Sequence, residues 1–251
     1  HNYIINFSPA FYRKRVNQEK MRIAITGSNG YVGNFLAEYF SDNGISVVGI
    51  DIKSSKRQKA YLNFKFEKCD VRNNERIKQI FEQNKITHVI HLAYLMDPQH
   101  DKNFECDVDI NGSIAVFTVA NETKTIKQFI HFSSASIYGG WNDNPLWISE
   151  THPTRPRDWL YAKNKKVVEE FYFSFQKRKD LKLVNLRMCT AIGPSYFKNG
   201  GVVKTLYSSP IGLLLNGKDS FLQFIHETDV KKLINLIVND SNVEGIFNFA
   251  P

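Results

Sequence analysis

Three glycines follow a short apolar run near the start of the chain, and their spacing suits the binding of phosphates. Gly27, Gly30 and Gly33 come directly after residues 23–25, an apolar run typical of a buried strand. Glycines spaced in this way allow a tight turn, a close approach of the backbone to a pyrophosphate, and close packing of the next helix on the sheet. The N-terminus of that helix would present unpaired N–H groups to the phosphates. The pattern therefore predicts a dinucleotide-binding turn.

Asp51 stands at the end of the next apolar run, residues 45–50. An acid about 20 residues beyond such a turn meets the hydroxyls of the adenosine ribose and repels a 2′-phosphate, which favours NAD over NADP. Lys53, Lys56 and Arg57 in the following loop could instead clamp that phosphate. We expect the acid at the strand end to outweigh flexible cations further along the loop, so NAD is the predicted cofactor and NADP the alternative.

Tyr161 and Lys165 are four residues apart in a segment with helical spacing of apolar residues, so they share one helix face. A phenol has a pKa near ~10 in water, which is too high for a base at neutral pH. A neighbouring ammonium favours the phenolate and lowers that pKa. The pair is thus a candidate for moving a proton to or from a substrate. The alternative interpretation is an ordinary pair on a helix surface.

These side chains need a scaffold, and the hydrophobic pattern predicts one. Apolar runs of strand length alternate with segments in which apolar residues recur at helical spacing. Such alternation predicts an α/β fold with a Rossmann-type doubly wound parallel sheet, in which ligands bind at the carboxyl ends of the strands. The predicted strands are residues 23–25, 45–50, 64–71, 87–93, 128–134 and 183–192, and the predicted helices are 32–40, 74–84, 101–123 and one that starts at 161.

The chain divides into three predicted parts. Residues 1–20 lack the pattern of a secretion signal and are interpreted as an N-terminal extension or a cloning remnant. Residues 21–193 form the predicted NAD-binding Rossmann domain, and residues 194–251 form a small substrate-side lobe that is short enough to be incomplete. The loop at 140–159 is long enough to act as a flap over the substrate.

Charge and cysteine content narrow the classes of function. The net charge is +8, but the cations are spread through the chain. This indicates a solvated basic surface, or one that attracts an anionic substrate, and not a nucleic-acid site. Three cysteines that lie far apart predict free thiols in a reducing, cytoplasmic compartment and no metal site. No apolar run has the ~20 residues that a membrane-spanning helix needs.

Further motifs occur in order along the chain. They are Thr26-Gly27-x-x-Gly30-x-x-Gly33, Asp51, Asp70-Val71, His91-Leu92-Ala93, Ser133-Ser134 with Tyr138-Gly139, Tyr161-x-x-x-Lys165, Arg187 with Gly193-Pro194, and Phe224-Ile225-His226 with Asp229-Val230. Together they resemble the extended short-chain dehydrogenase/reductases, the NAD-dependent epimerase/dehydratase family typified by UDP-galactose 4-epimerase. The resemblance covers about residues 21–251. Each motif alone is a weak signal, and their joint order carries the resemblance.

The resemblance implies a catalytic set. Tyr161 would carry the proton, Ser134 would hydrogen-bond the reacting hydroxyl or carbonyl, and Lys165 would keep the phenol acidic and hold the nicotinamide ribose. Asn111 resembles the helix asparagine that supports the lysine through water. The cofactor-binding positions implied by the family are Gly27, Asn29, Gly30, Tyr31, Val32, Gly33, Asp51, Asp70, Val71, Leu92, Ala93, Tyr161 and Lys165.

The chain departs from the family pattern at several positions. Dehydratases of the family carry an Asp-Glu pair just after the catalytic hydroxyl residue, where this sequence has Ala135 and Ser136, so a dehydratase is not expected. Tyr94 replaces a small residue and would crowd the pocket, and Asn164 replaces a serine. Contacts to a particular sugar nucleotide are therefore not transferred from the family.

The function implied by the resemblance is that of an NAD-dependent oxidoreductase or epimerase acting on a hydroxyl-bearing carbon of a sugar nucleotide or similar small molecule. Two alternatives stay open: a dehydrogenase or reductase of a non-sugar alcohol or ketone, and a non-enzymatic dinucleotide sensor or RNA-associated protein. The intact Ser134, Tyr161 and Lys165 argue against the last of these. The expected partners are a small-molecule substrate, nucleotide-linked in the first case, and a second copy of the chain as a candidate homodimer; no membrane or nucleic acid is expected.

Overall fold

The computed structural model of the protein describes residues 21–54, 63–96, 99–199 and 223–250. The predicted extension at 1–20 lies outside the described residues. So do the candidate phosphate-binding residues Lys56 and Arg57, and residues 200–222 of the predicted lobe.

Seven parallel strands form the main sheet, in the order β3-β2-β1-β4-β5-β6-β9. The order reverses next to β1, which is the arrangement of a doubly wound sheet and confirms the predicted Rossmann-type fold. A second sheet pairs β7 with β8 in parallel. The strands are β1 (Arg22–Thr26), β2 (Ser46–Asp51), β3 (Phe64–Lys68), β4 (His88–His91), β5 (Gln128–Ser134), β6 (Lys182–Met188), β7 (Thr190–Ile192), β8 (Phe224–His226) and β9 (Gly245–Phe249).

The connections between the strands of the main sheet are mostly helical, as parallel pairing requires. A π-helical turn at Asp107–Asn111 separates α3 from α4, and a 3₁₀ turn at Ala135–Tyr138 follows β5. The helices are α1 (Tyr31–Asp42), α2 (Asn74–Gln83), α3 (Lys102–Cys106), α4 (Gly112–Glu122), α5 (Leu160–Ser174), α6 (Pro194–Asn199) and α7 (Glu227–Asn239).

Two apolar layers bury the two faces of the main sheet. On one face, Phe35 of α1 and Ile234 of α7 pack with Ile23 and Ile25 of β1. On the other face, helices α2, α4 and α5 pack over the neighbouring side chains of the same strands, such as Ala24 of β1. Burial on both faces explains why the strands have continuous apolar runs and not an alternating pattern.

The main sheet extends past the predicted domain boundary at residue 193. Strand β9 pairs with β6, with Val184 opposite Gly245 and Met188 opposite Phe249. Helix α7 packs on the same face of the sheet as α1. The predicted strand at 183–192 is two strands, since β7 leaves the main sheet after Met188 and pairs with β8 instead.

Candidate active site

The carboxyl ends of five neighbouring strands bring the predicted site residues to one edge of the main sheet. All these strands are parallel, so each one ends at the same edge. Gly27 follows β1, Asp51 ends β2, Asp70 follows β3, Ala93 lies just beyond β4, and Ser134 ends β5.

The glycine turn packs so tightly that side chains would not fit there. Gly27 has a φ of +68°, and a Cβ on it would lie 2.8 Å from the backbone nitrogen of Ala93. A Cβ on Gly33 would lie 2.2 Å from the carbonyl oxygen of Gly27. Gly30 precedes α1 and provides no side-chain cap to the first N–H groups of the helix. The turn thus presents backbone where an anion can approach closely.

Asp51 is held beside the glycine turn by backbone amides. Its carboxylate accepts hydrogen bonds from the N–H of Asn29 and the N–H of Lys53, both at 3.0 Å. The Asn29 side-chain amide donates to the carbonyl oxygen of Lys53. A cleft between the ends of β2 and β3 lies next to this acid and is lined in part by Ile52 and Asp70. The carboxylate is therefore fixed where a ribose could meet it.

Asp70 and Val71 are fixed by their neighbours. The Arg72 guanidinium donates to the Asp70 carboxylate at 2.6 Å, which holds the pKa of that carboxyl below its usual value. Arg72 also donates to Asp107, at 2.7 Å. Val71 is buried, and its side chain lies so close to Gly112 that a Cβ there would be 2.7 Å away. This segment connects β3 to the helices on one face of the sheet.

The Thr26 hydroxyl organises the backbone after β4. It accepts hydrogen bonds from the N–H groups of Leu92 (3.2 Å) and Ala93 (3.3 Å). It also contacts Nδ1 of His91 at 2.7 Å, and Nε2 of His91 lies 2.9 Å from the Ser113 hydroxyl. Burial lowers the pKa of His91 to about 3, so this imidazole is neutral and serves to brace the turn.

Ser134, Tyr161 and Lys165 come together at this edge, as their predicted roles require. Ser134 lies near the Tyr161 phenol, and its side chain acts on that phenol as a hydrogen-bonding neighbour that lowers the pKa against the larger effect of burial. The Lys165 ammonium donates to the carbonyl oxygen of Phe132 at 2.6 Å and lies 5.6 Å from the centre of the Tyr161 ring. Tyr161 and Lys165 are both buried. Their spacing on α5 places them on one helix face, as predicted.

Burial dominates the electrostatics of these residues. It raises the pKa of Tyr161 above its ordinary value, and the nearby charge of Asp109 raises it further, while the hydrogen bond from Ser134 opposes both. Burial also lowers the pKa of Lys165 to about 7, and Asp109 opposes that shift. Burial therefore sets the direction of the Tyr161 shift, and the acidifying effect expected of Lys165 stays a prediction.

Ser136 contributes to the site, although its role was not predicted. Its hydroxyl donates to the Ser134 Oγ at 2.8 Å, and its backbone N–H donates to the same oxygen at 3.2 Å. These two bonds occupy the acceptor sites of Ser134, so its own hydroxyl hydrogen is left to donate to another group. The sequence did contain a local signal for this contact, because a serine at the end of a strand often accepts a hydrogen bond from the N–H two residues further on.

A buried ion pair supports the turn that follows Ser134. Arg187 on β6 pairs with Glu169 on α5, and both side chains are almost completely buried. Arg187 also donates to the Tyr138 hydroxyl at 2.7 Å, and that hydroxyl donates to the Asn248 side chain of β9 at 2.6 Å. Glu169 was missed in the sequence, although it follows Lys165 by four residues and so lies on the same helix face.

Asn111 does not occupy the position predicted for it. Its side chain is exposed and donates to the Asp107 carboxylate at 2.8 Å. The buried face of α4 contains Ser113 and Val116. Asp109 is also buried, and it precedes Ser113 by four residues and Val116 by seven. Asp109 therefore shares the buried side of the helix with these residues, because residues four apart lie on one helix face.

Tyr94 packs against two of the candidate catalytic residues. The Lys165 ammonium lies 3.5 Å from the centre of its ring, and the Tyr161 ring meets it edge-on at 5.4 Å. Asn164, the other unusual residue, is buried and donates to the Asp109 carboxylate at 3.2 Å. Both departures from the family pattern therefore lie against the lysine or its neighbours.

The remaining sequence predictions concern thiols, metals and membranes. Cys69, Cys106 and Cys189 are free thiols. Within the described ranges, no group of three or more His, Cys, Asp or Glu side chains is arranged to hold a metal ion. None of the helices in the described part of the chain has the length and apolar composition needed to cross a bilayer.

The chain matches a protein-family model and several curated proteins. The model of the NAD-dependent epimerase/dehydratase family matches residues 23–250. A dTDP-D-glucose 4,6-dehydratase of Dictyostelium discoideum is 25% identical over 260 residues, which cover 91% of this chain and 58% of that protein. The bifunctional protein gal10 of Schizosaccharomyces pombe is 31% identical over 160 residues, 59% of this chain and 22% of that protein. The chain thus spans less than two thirds of the length of either relative.

Solved structures with the same fold are also found. The Bordetella bronchiseptica enzyme WbmG, crystallised with NAD, is 25% identical with a TM-score of 0.75, over 92% of this chain and 72% of that one. A UDP-glucose 4-epimerase of Thermotoga maritima, crystallised with UDP-glucose, has a TM-score of 0.79 at 23% identity, over 92% of this chain and 77% of that one. At 23% identity, the similarity to the Thermotoga maritima enzyme is evidence for the fold alone.

Proposed function

This chain belongs to the NAD-dependent epimerase/dehydratase family, and on that premise we propose that it is an NAD-dependent oxidoreductase or epimerase. Its proposed substrate is a sugar nucleotide or a similar small molecule, which reacts at a hydroxyl-bearing carbon. The observation that carries the proposal is the pair of buried side chains Tyr161 and Lys165 beside half-buried Ser134, at the edge of the sheet that also holds the glycine turn. The substrate class is supported by a curated relative whose name refers to dTDP-D-glucose.

The residues divide the proposed chemistry among them. Tyr161 takes the proton from the substrate hydroxyl, and Ser134 orients that hydroxyl from its place near the phenol. Lys165 supplies the positive charge that favours the phenolate in a site where burial opposes it. Bound NAD would accept a hydride from the same carbon and, in an epimerase, return it.

Several features of the glycine turn and its surroundings fit the binding of a dinucleotide. A Cβ at Gly27 or Gly33 would collide with backbone atoms, as expected where a pyrophosphate must approach the main chain. Asp51 is fixed beside this turn and would hydrogen-bond the adenosine ribose. We propose NAD over NADP for this reason. Titration of both cofactors by fluorescence tests the preference, and equal affinity or tighter binding of NADP would refute the role given to Asp51.

Epimerisation or simple oxidation fits the site better than dehydration. Dehydration needs an acid and a base after the catalytic serine, and Ala135 and Ser136 supply neither. Ser136 is instead engaged with Ser134. The net charge of +8 favours an anionic substrate, such as one with a diphosphate. The three free thiols support a reducing compartment, for which the cytoplasm is the proposed location.

A two-stage experiment tests this function. A thermal-shift panel of UDP-, dTDP-, GDP- and CDP-sugars with NAD identifies a ligand. Each ligand is then incubated with the protein while absorbance at the NADH band and the product sugar are followed. Formation of an epimer without NADH indicates an epimerase, and accumulation of NADH indicates a dehydrogenase. If no nucleotide sugar shifts the melting temperature and a non-sugar alcohol or ketone is oxidised or reduced, the sugar-nucleotide assignment is wrong.

A further inference from the structure

A carboxylate lies fully buried next to the candidate catalytic residues. Asp109 has no exposed surface and sits in the π-helical turn between α3 and α4. One carboxylate oxygen accepts the N–H of Leu95 at 2.9 Å, and the other accepts the side-chain amide of Asn164 at 3.2 Å. Both donors are neutral. Burial of a carboxylate is costly unless a charge of opposite sign compensates for it.

In the part of the chain that the structure describes, Lys165 is the buried cation that can balance this charge. Lys165 and Arg187 are both almost fully buried. Arg187 is already paired with Glu169. Lys165 donates to the neutral carbonyl of Phe132 and lies over the ring of Tyr94, so neither contact provides a negative charge. Asn164, which holds the Asp109 carboxylate, is the residue before Lys165 on α5.

We propose that Asp109 is a positioning residue whose carboxylate keeps the Lys165 side chain protonated. The Leu95 N–H and the Asn164 amide fix the carboxylate, and its negative charge stabilises the ammonium that Tyr161 needs. This proposal rests on the proposed function only for the role of Tyr161, since the effect of the Asp109 charge on Lys165 requires no ligand. Asp109 can carry a negative charge, whereas Asn111, the residue expected to support the lysine, is neutral.

The titration of the two groups is consistent with an attraction between their charges. Burial lowers the pKa of Lys165 to about 7, and Asp109 opposes the shift. Burial raises the pKa of Asp109 to about 6, and Leu95, Asn164 and Lys165 oppose that shift. The other titratable groups that act on this pair or its neighbours are Glu105 and Cys106 on α3, Tyr94 and His91 at the end of β4, His131 on β5, and Tyr161 and Tyr172 on α5.

Asp109 has two opposing effects on the site, and they can be separated. Its charge raises the pKa of Tyr161, so loss of the charge would by itself make the phenol more acidic. The same loss removes the group that keeps Lys165 protonated. The charge state of the lysine in the protein without ligands is therefore the direct readout, and it needs no substrate.

The test compares Asp109→Asn with Glu105→Gln in the whole chain. Glu105 is also a buried carboxylate, on the adjoining helix α3, and its oxygen accepts the N–H of Gln99 at 3.0 Å. Lysine labelled with ¹³C at Cε reports the titration of Lys165 by NMR, and Lys165→Met assigns the signal. We expect Asp109→Asn to lower the Lys165 midpoint by about one pH unit, the scale of a lost neighbouring charge. Glu105→Gln should move it much less.

A second variant guards against misfolding of the first. Asn164→Ala removes a hydrogen bond from the Asp109 carboxylate but keeps the carboxyl group. Fewer Asp109 side chains would then be ionised near neutral pH, so the Lys165 midpoint should fall by a smaller amount. If neither variant moves the midpoint, or if Glu105→Gln moves it as far as Asp109→Asn does, the proposal is overturned.

Turnover provides an independent readout once a substrate is known. If Asp109 acts through the charge of Lys165, the alkaline limb of the kcat profile should move to lower pH in Asp109→Asn by the same amount as the NMR midpoint. A merely structural role would lower kcat equally at all pH values and leave the midpoint unchanged, which contradicts the proposal. Failure of the wild-type protein to turn over any nucleotide sugar would refute the proposed function but would leave the NMR comparison interpretable.

Discussion

The ammonium nitrogen of Lys165 lies 3.5 Å from the centre of the Tyr94 ring. A cation over an aromatic face in a buried site gains up to about 2 kcal/mol from the ring quadrupole. The Tyr94 hydroxyl is buried and has no hydrogen-bond partner among the described residues. The ring of Tyr94 therefore stabilises the lysine, while its hydroxyl costs free energy.

Two substitutions of Tyr94 should separate these contributions. Tyr94→Phe keeps the ring and removes the hydroxyl, so we expect the free energy of unfolding to rise by about 1 kcal/mol. Tyr94→Leu removes the aromatic face, so we expect that free energy to fall by about 1–2 kcal/mol. Urea unfolding at pH 7 measures both. A Tyr94→Phe protein less stable than the wild type would mean that the hydroxyl has a partner.

Lys165→Met should change how stability depends on pH. The folded protein has a pKa of about 7 for Lys165, and an unfolded lysine has one near ~10.4. Between these values the unfolded chain binds the additional proton, so this lysine makes stability rise with pH. The wild type should therefore gain about 2 kcal/mol relative to Lys165→Met between pH 7 and pH 9.

Unfolding in urea at several pH values checks this slope. Lys163→Met is the matched control, since Lys163 lies two residues earlier on the same helix and its ammonium pairs with Asp158 on the surface. A stability difference between wild type and Lys165→Met that stays constant from pH 7 to pH 9 would show that Lys165 titrates like an unfolded lysine.

Tyr161→Phe should leave the fold and NAD binding nearly intact while turnover falls by ~10²–10⁴-fold, the usual loss when a general base is removed. Steady-state kinetics and cofactor fluorescence measure the two effects. Tyr172→Phe is the control, because this buried tyrosine of the same helix donates to the Ser113 carbonyl. It should lose stability but keep its turnover. Unimpaired turnover in Tyr161→Phe would overturn the proposed proton transfer.

Two glycine substitutions should distinguish backbone strain from a collision in the turn. Gly27 and Gly44 both have a positive φ, of +68° and +78°. A Cβ on Gly44 meets nothing within 4 Å, so Gly44→Ala should cost only the strain of that conformation, about 1 kcal/mol. Gly27→Ala would press on the backbone of Ala93, so it should cost more and also weaken NAD binding at least tenfold. Thermal unfolding measures the loss of stability, and NAD titration measures the loss of affinity. Equal losses in Gly27→Ala and Gly44→Ala would contradict the collision expected in the turn.

Features that depend on nearby residues could be predicted from the sequence. The glycine turn, Asp51 at the end of β2, and the shared face of Tyr161 and Lys165 all follow from local spacing and backbone sterics. Continuous apolar runs indicated strands buried on both faces, and their alternation with helices indicated a parallel sheet. Parallel strands then bring their carboxyl ends to one edge, so the general place of the site was determined as well.

Interactions between distant segments were decided by the tertiary structure alone. The sequence does not say that β9 pairs with β6, or that Tyr94 lies over Lys165, because both contacts join segments about 60 to 70 residues apart. The choice between Asn111 and Asp109 depended on which side of the helix packs against α5. The pKa of Tyr161 depended on how fully that packing removes water. Desolvation is set by every segment that surrounds a group, and local spacing carries no record of it.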